Sequence, residues 1–128
     1  MNPTPLQPNG TVLHLLPAAE WASAGDPHRP ASLATEGFVH CTGDVDTLLG
    51  VANRFYRSAD GEMSVLVIDP ELVGAPVRWE APAHPDGRPP SDDEPRFPHV
   101  YGPIPHASVV AVWTMQRLDD GRYTGVRA

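Results

Sequence analysis

The chain has 128 residues, 41% of them hydrophobic, which is enough for one self-sufficient core and sets a single domain as the expectation. The formal net charge of −7, with only 9 Lys and Arg and no run of either, argues against a binder of nucleic acid or anionic membranes. A lone cysteine, Cys41, excludes an internal disulfide and fits a reducing, cytoplasmic setting.

Residues 1–10 are polar and proline-rich, without the basic and apolar regions of a signal peptide, so they read as a disordered lead-in to a domain over 11–128. No apolar stretch approaches the roughly 20 residues of a membrane span. Residues 11–16 (TVLHLL) form the first predicted strand. Pro17 then opens a short helix carrying Glu20 and Trp21, closed by Gly25-Asp26-Pro27. Residues 37–42 (GFVHCT) read as a second strand. The clearest helix follows: Val45, Leu48, Leu49, Ala52, Phe55 and Tyr56 make one apolar stripe at helical period, with Thr42 or Asp44 available as the cap. Gly50 weakens it from within.

Residues 63–68 (MSVLVI) are nearly all apolar and predict a central strand, broken by Asp69-Pro70. Residues 77–80 (VRWE) form a short strand. Residues 81–98, rich in proline and acid, read as a long exposed loop, mobile over 81–96. Residues 108–115 (SVVAVWTM) predict a strand buried on both faces, and 123–126 an edge strand after the turn at Gly121. Early helices followed by strands argue for an α+β fold.

The residues able to do chemistry lie in or beside these strands, where side chains alternate between faces. Phe38, His40 and Thr42 share one face, with Val39 and Cys41 on the other. His14 shares a face with Val12 and Leu16, and Arg78 with Glu80. His99 and Tyr101 share a face if residues 97–103 (FPHVYGP), stiffened by Pro98 and Pro103, are extended. His14 suits a hydrogen-bonded core position as well as a site, and Trp21 and Trp79 suit core anchors. A metal site is not expected, because neither Cys-x-x-Cys nor zinc-type His spacings occur. Alternation also keeps His40 from serving Cys41 as a base. His40, Glu80, His99 and Tyr101 are expected to line one concave surface.

GFVHCT, then RWE, then FPHVYGPI, in that order, resemble the bacterial domain-of-unknown-function family 952, over about residues 12–113. The resemblance implies an ADP-ribosyltransferase-like fold, a split and bent β-structure with flanking helices, whose relatives bind NAD across the split; some remove a 2′-phosphate from RNA. It implies a catalytic Glu80 with His40, and ligand contacts at His14, Thr42, His99 and Tyr101. His14 is the candidate for the first-strand position, and His40 or Thr42 for the second. The loop 81–96 is longer than the family norm, and Asp44-Val45-Asp46 stands where relatives often carry Gln. Chemically, a Glu can stabilise the oxocarbenium-like charge that develops when the nicotinamide–ribose bond breaks. The alternative is a non-enzymatic module on the same scaffold, its histidines holding a small anionic ligand or each other. Oligomeric state is not legible in the sequence.

Overall fold

The computed structural model describes residues 4–82 and 95–128. The chain runs β1 (Val12–Pro17), α1 (Ala18–Ala22), α2 (Ala31–Thr35), β2 (Val39–His40), α3 (Val45–Phe55), β3 (Met63–Ile68), β4 (Val77–Glu80), β5 (Phe97–Val100), β6 (Val109–Arg117) and β7 (Tyr123–Arg127), with single 3-10 turns at Pro70–Leu72 and His106–Ser108. The α+β class is thus observed. The strands form two antiparallel sheets, a four-stranded one ordered β1-β3-β6-β7 and a three-stranded one ordered β2-β5-β4.

Three layers result. Helix α3 covers one face of the large sheet, where Leu48 and Ala52 pack against Leu13, Val65, Val67, Trp113 and Met115. The small sheet covers the other, where Val39, Val100 and Val77 meet Val12, Leu16, Leu66 and Ile68. The central strand β3 is buried at all six positions, as its unbroken apolar run demands. Full burial of each such side chain stabilises by about 1.5–3 kcal/mol. Asp44 caps α3 by accepting from the Thr47 amide at 2.7 Å. Asn53 fastens the helix to the sheet edge: its amide donates to the Tyr123 carbonyl at 2.9 Å, and its oxygen accepts from the Tyr123 N–H at 2.7 Å.

Several expectations need correcting. The strand expected over 37–42 is regular only at Val39–His40, and Thr42 instead bridges Leu13 in isolation. Helix α2 was not foreseen; it is one short turn without an apolar stripe. Phe97 and Pro98, expected in the long loop, belong to β5, where pairing with Glu80 and Trp79 of β4 holds them extended. Strand β6 is not buried on both faces: Val110 and Val112 are exposed, because the small sheet covers only the β1–β3 side of the large one. Phe55 and Tyr56, counted in the apolar stripe of α3, are exposed at the C-terminal end of the helix. Trp79 is no core anchor either; it is 52% exposed, with its indole lying over Gly43. Most of the loop 81–96 lies outside the described residues, as do residues 1–3. Of the lead-in, Gln7 is tied down, its amide donating to the Thr11 and Gly43 carbonyls at 3.1 and 3.0 Å. Among the described residues no helix is long and apolar enough to cross a membrane.

Candidate functional site

The register of the small sheet assembles the site. His40 pairs with His99, and His99 with Arg78, across the strands. Directly opposed residues of an antiparallel sheet project to the same side, so these three form one row. Period two adds Glu80 and Tyr101 to that side, while Val39, Val77 and Val100 turn to the core. Phe38 completes the cluster: its ring stacks on His99 at 4.1 Å and lies 4.8 Å from His40 and 5.6 Å from Tyr101. The His40 and His99 rings are 5.6 Å apart.

Glu80 organises this face. Its Oε1 accepts from His99 Nδ1 at 3.0 Å and also from the Tyr101 hydroxyl. The Tyr101 bond first, and the His99 bond second, hold the Glu80 carboxyl below the usual range. The same bond keeps the phenol of Tyr101 protonated and raises its pKa. With Nδ1–H committed to the carboxylate, the neutral tautomer of His99 carries its lone pair on Nε2. The Arg78 guanidinium lies over the Tyr101 ring at 5.2 Å. His40 has its own carboxylate, Glu36, at 2.8 Å, and that pair is half exposed.

Beneath this row lies His14. Its Nδ1 is 2.7 Å from the His40 carbonyl oxygen. A carbonyl only accepts, so Nδ1 is protonated and donates. Burial pushes the His14 pKa down to about 4, and the neighbouring imidazoles of His28 and His40 push the same way, so the ring is neutral at pH 7. His14 Nε2 and Thr42 Oγ1 are buried with no hydrogen-bond partner among the described residues. Orphaned buried polar atoms of this kind are uncommon and costly. His28 stands behind His14, with ring centroids 6.5 Å apart. Its Nε2 is 3.3 Å from Glu20 Oε2 but out of line for a hydrogen bond.

A groove of about 840 Å³ runs past these groups. Its walls are built by β1, the face of α3 carrying Thr47, Gly50, Val51 and Arg54, the β2 region and the start of β5. Of the residues singled out from sequence, His14, His40, Thr42 and His99 line it. Glu80 and Tyr101 are gathered into the same cluster but stand behind His99 rather than on the groove wall. Cys41 reaches the wall, yet burial pushes its thiol up to about 12, which leaves it a poor nucleophile. Among the described residues no three His, Cys, Asp or Glu side chains are placed to hold a metal.

Sequence reasoning did not single out Glu36, His28, Arg54 or Gly50 as site residues. Glu36 lay four residues before His40, a spacing that signals contact only on a continuous helix. The Phe38–His40 and His99–Tyr101 alternations were the local signs of the aromatic–imidazole cluster.

The sequence model of a family described as "Protein of unknown function (DUF952)" matches residues 15–112, most of the chain. The chain belongs to the DUF952 family. No curated protein matches it significantly. Among solved structures, it is similar to the crystal structure of protein CC0527 from Caulobacter crescentus, with a TM-score of 0.69 and 24% identity, covering 89% of this chain and 93% of that one. It is also similar to the solution NMR structure of CC0527, with a TM-score of 0.64 and 24% identity, covering 88% and 90%. At that identity the likeness establishes the fold alone, and the name CC0527 states no activity.

Proposed function

We propose that the groove binds NAD or an ADP-ribose-like ligand, and that His99, oriented by Glu80 and Tyr101, is the group that moves a proton there. The observation that carries this reading is the Glu80–His99 pair at 3.0 Å, with His99 on the wall of the groove. A carboxylate on Nδ1 fixes the tautomer and the ring orientation, leaving the Nε2 lone pair aimed and free, the arrangement a general base needs. The groove volume of about 840 Å³ falls within the range of small-molecule and cofactor sites. The buried, unpartnered His14 Nε2 and Thr42 Oγ1 are polar groups that a ligand hydroxyl or amide reaching the wall would satisfy. The ADP-ribosyltransferase-like resemblance supplies the ligand class, and the position of the groove between elements of both sheets agrees with binding across a split.

In the reaction this reading entails, the C1′–N bond of NAD breaks and its electron pair leaves with nicotinamide. Water adds to the oxocarbenium carbon and gives its proton to His99 Nε2. Glu80 serves as a positioning residue, because it stands off the groove wall with its Oε1 taken by Tyr101 and His99. That same occupancy favours a second reading, a module that binds the ligand without turning it over. Thermal shift with NAD and ADP-ribose, together with nicotinamide release followed by NMR, tests both. Stabilisation with release supports the enzyme, and stabilisation by both ligands without release supports the binding module. If neither ligand raises the melting temperature, the proposal fails.

A further inference from the structure

Gly50 occupies the middle of α3, where glycine is the poorest helix former after proline. Nothing in the fold demands it there. Its φ is not positive, and a Cβ built on it meets no atom within 4 Å. It is exposed, yet it lines the groove together with Thr47 and Arg54, which share its helix face at i−3 and i+4, and with the adjacent Val51. What the missing side chain leaves open is the groove, giving a ligand close access to the helix backbone.

Arg54, one turn further along, brings a permanent positive charge to the same wall. Its guanidinium carbon lies over the Phe55 ring at 5.3 Å, a contact that consumes none of its N–H donors. The groove wall also carries His14 and Thr42, which are different in kind. His14 is neutral, and it and Thr42 are more than nine-tenths buried, each with an unpartnered polar atom. An anionic group is therefore favoured at Arg54 and a neutral hydroxyl or amide at His14.

We propose that Gly50 and Arg54 form a phosphate subsite: the phosphate of an elongated nucleotide-type ligand passes against α3 at Gly50 and is held by the Arg54 guanidinium. The proposal deepens the ADP-ribose reading and rests on it for the identity of the whole ligand, but not for the phosphate itself.

The test is a ¹H–¹⁵N NMR titration of the full chain at low ionic strength with ADP-ribose and, separately, with ribose 5-phosphate. The wild type and the variants Gly50→Leu and Arg54→Gln are compared, with thermal melts run alongside. In the wild type the Gly50 amide and the Arg54 Nε–H signals are expected to move with both compounds. Gly50→Leu is expected to melt no lower than the wild type, because leucine is the better helix former, yet to bind both compounds at least tenfold more weakly. Arg54→Gln is expected to weaken both to a similar extent while leaving the fold intact. If ADP-ribose binds and the Gly50 and Arg54 signals stay still, the subsite is overturned and the ADP-ribose reading survives. If ribose 5-phosphate binds at Gly50 and Arg54 while ADP-ribose does not bind, the subsite stands and the ADP-ribose reading falls. If neither compound binds, both are overturned.

Discussion

Replacing His14 with Asn is expected to flatten the acid limb of the protein's stability profile. In the fold His14 has a pKa near 4, against 6.5 for an ordinary histidine, because burial disfavours the imidazolium. A depressed histidine pKa means that the unfolded chain takes up a proton between these values while the folded chain does not. Stability is therefore present above about pH 6.5 and is lost as the pH falls toward 4. From these two values, going from pH 7 to pH 5 costs about 2 kcal/mol through this one residue, and the full shift is worth roughly 3 kcal/mol. Asn keeps a donor for the His40 carbonyl but cannot titrate, so it removes the slope while retaining one hydrogen bond. Urea unfolding of both proteins at pH 7, 6 and 5 measures the difference directly, since carboxylates such as Glu80 contribute equally to the two. The variant starts lower at pH 7, from lost packing, but its deficit should shrink by about 2 kcal/mol at pH 5. Parallel profiles would refute the assignment of His14 as a neutral, buried imidazole.

Tyr101→Phe removes the first cause of the low Glu80 pKa, so the Glu80 carboxyl should titrate at higher pH by NMR, and an unchanged value would contradict the bond. Asn53→Ala strips two hydrogen bonds from the backbone of buried Tyr123, and chemical denaturation should report a loss of about 2 kcal/mol. Arg117→Lys should cost a similar amount, about 2 kcal/mol in the same assay: the guanidinium donates to the carbonyls of Ala59 at 2.7 Å, Gly121 at 3.2 Å, Gly61 at 3.4 Å and Arg57, and one ammonium cannot span that set. Gly43→Val must displace the Trp79 indole, whose Cη2 lies 2.5 Å from the position of the new Cβ, and should change the tryptophan emission spectrum.

The elements legible in the sequence are those whose signal is local. Helix α3 and strand β3 carry a complete periodicity within one window, and their bounds follow from Asp44 and from Asp69-Pro70. In the small sheet only Val77–Glu80 was legible from its own residues; the other strands are short, separated by long stretches, and meaningful only once paired. Alternation did sort His40, Glu80 and His99 onto faces within their own segments. That the three faces are one face depends on the pairing of His40 with His99 and of His99 with Arg78, which no local pattern encodes. The exposure of Val110 and Val112 was invisible for the same reason. An apolar run tells what a strand could bury, while the reach of the covering layer decides what it does bury. His28 was overlooked because its neighbours are irregular; a bridge to Ile104 holds it in place, with both backbone bonds at 2.8 Å.

The choice between a structural and a ligand-contacting His99 loses its sharpness in this fold. The ring is buried, stacked on Phe38 at 4.1 Å and bonded to Glu80, so it is held like a core residue. It also lines the groove, so it is placed like a site residue. The two roles support each other. A histidine free to rotate on a surface would lose side-chain entropy on meeting a ligand, and here that loss has already been met in folding. The apolar side of the small sheet makes this possible: Val39, Val77 and Val100 anchor the strands in the second core, which leaves the opposite side free to be polar. A melting-temperature loss in His99→Ala therefore says nothing about function by itself. Glu80 is the more informative position, because it is partly exposed and off the groove wall, so its effect on a groove ligand is transmitted through the orientation in which it holds His99.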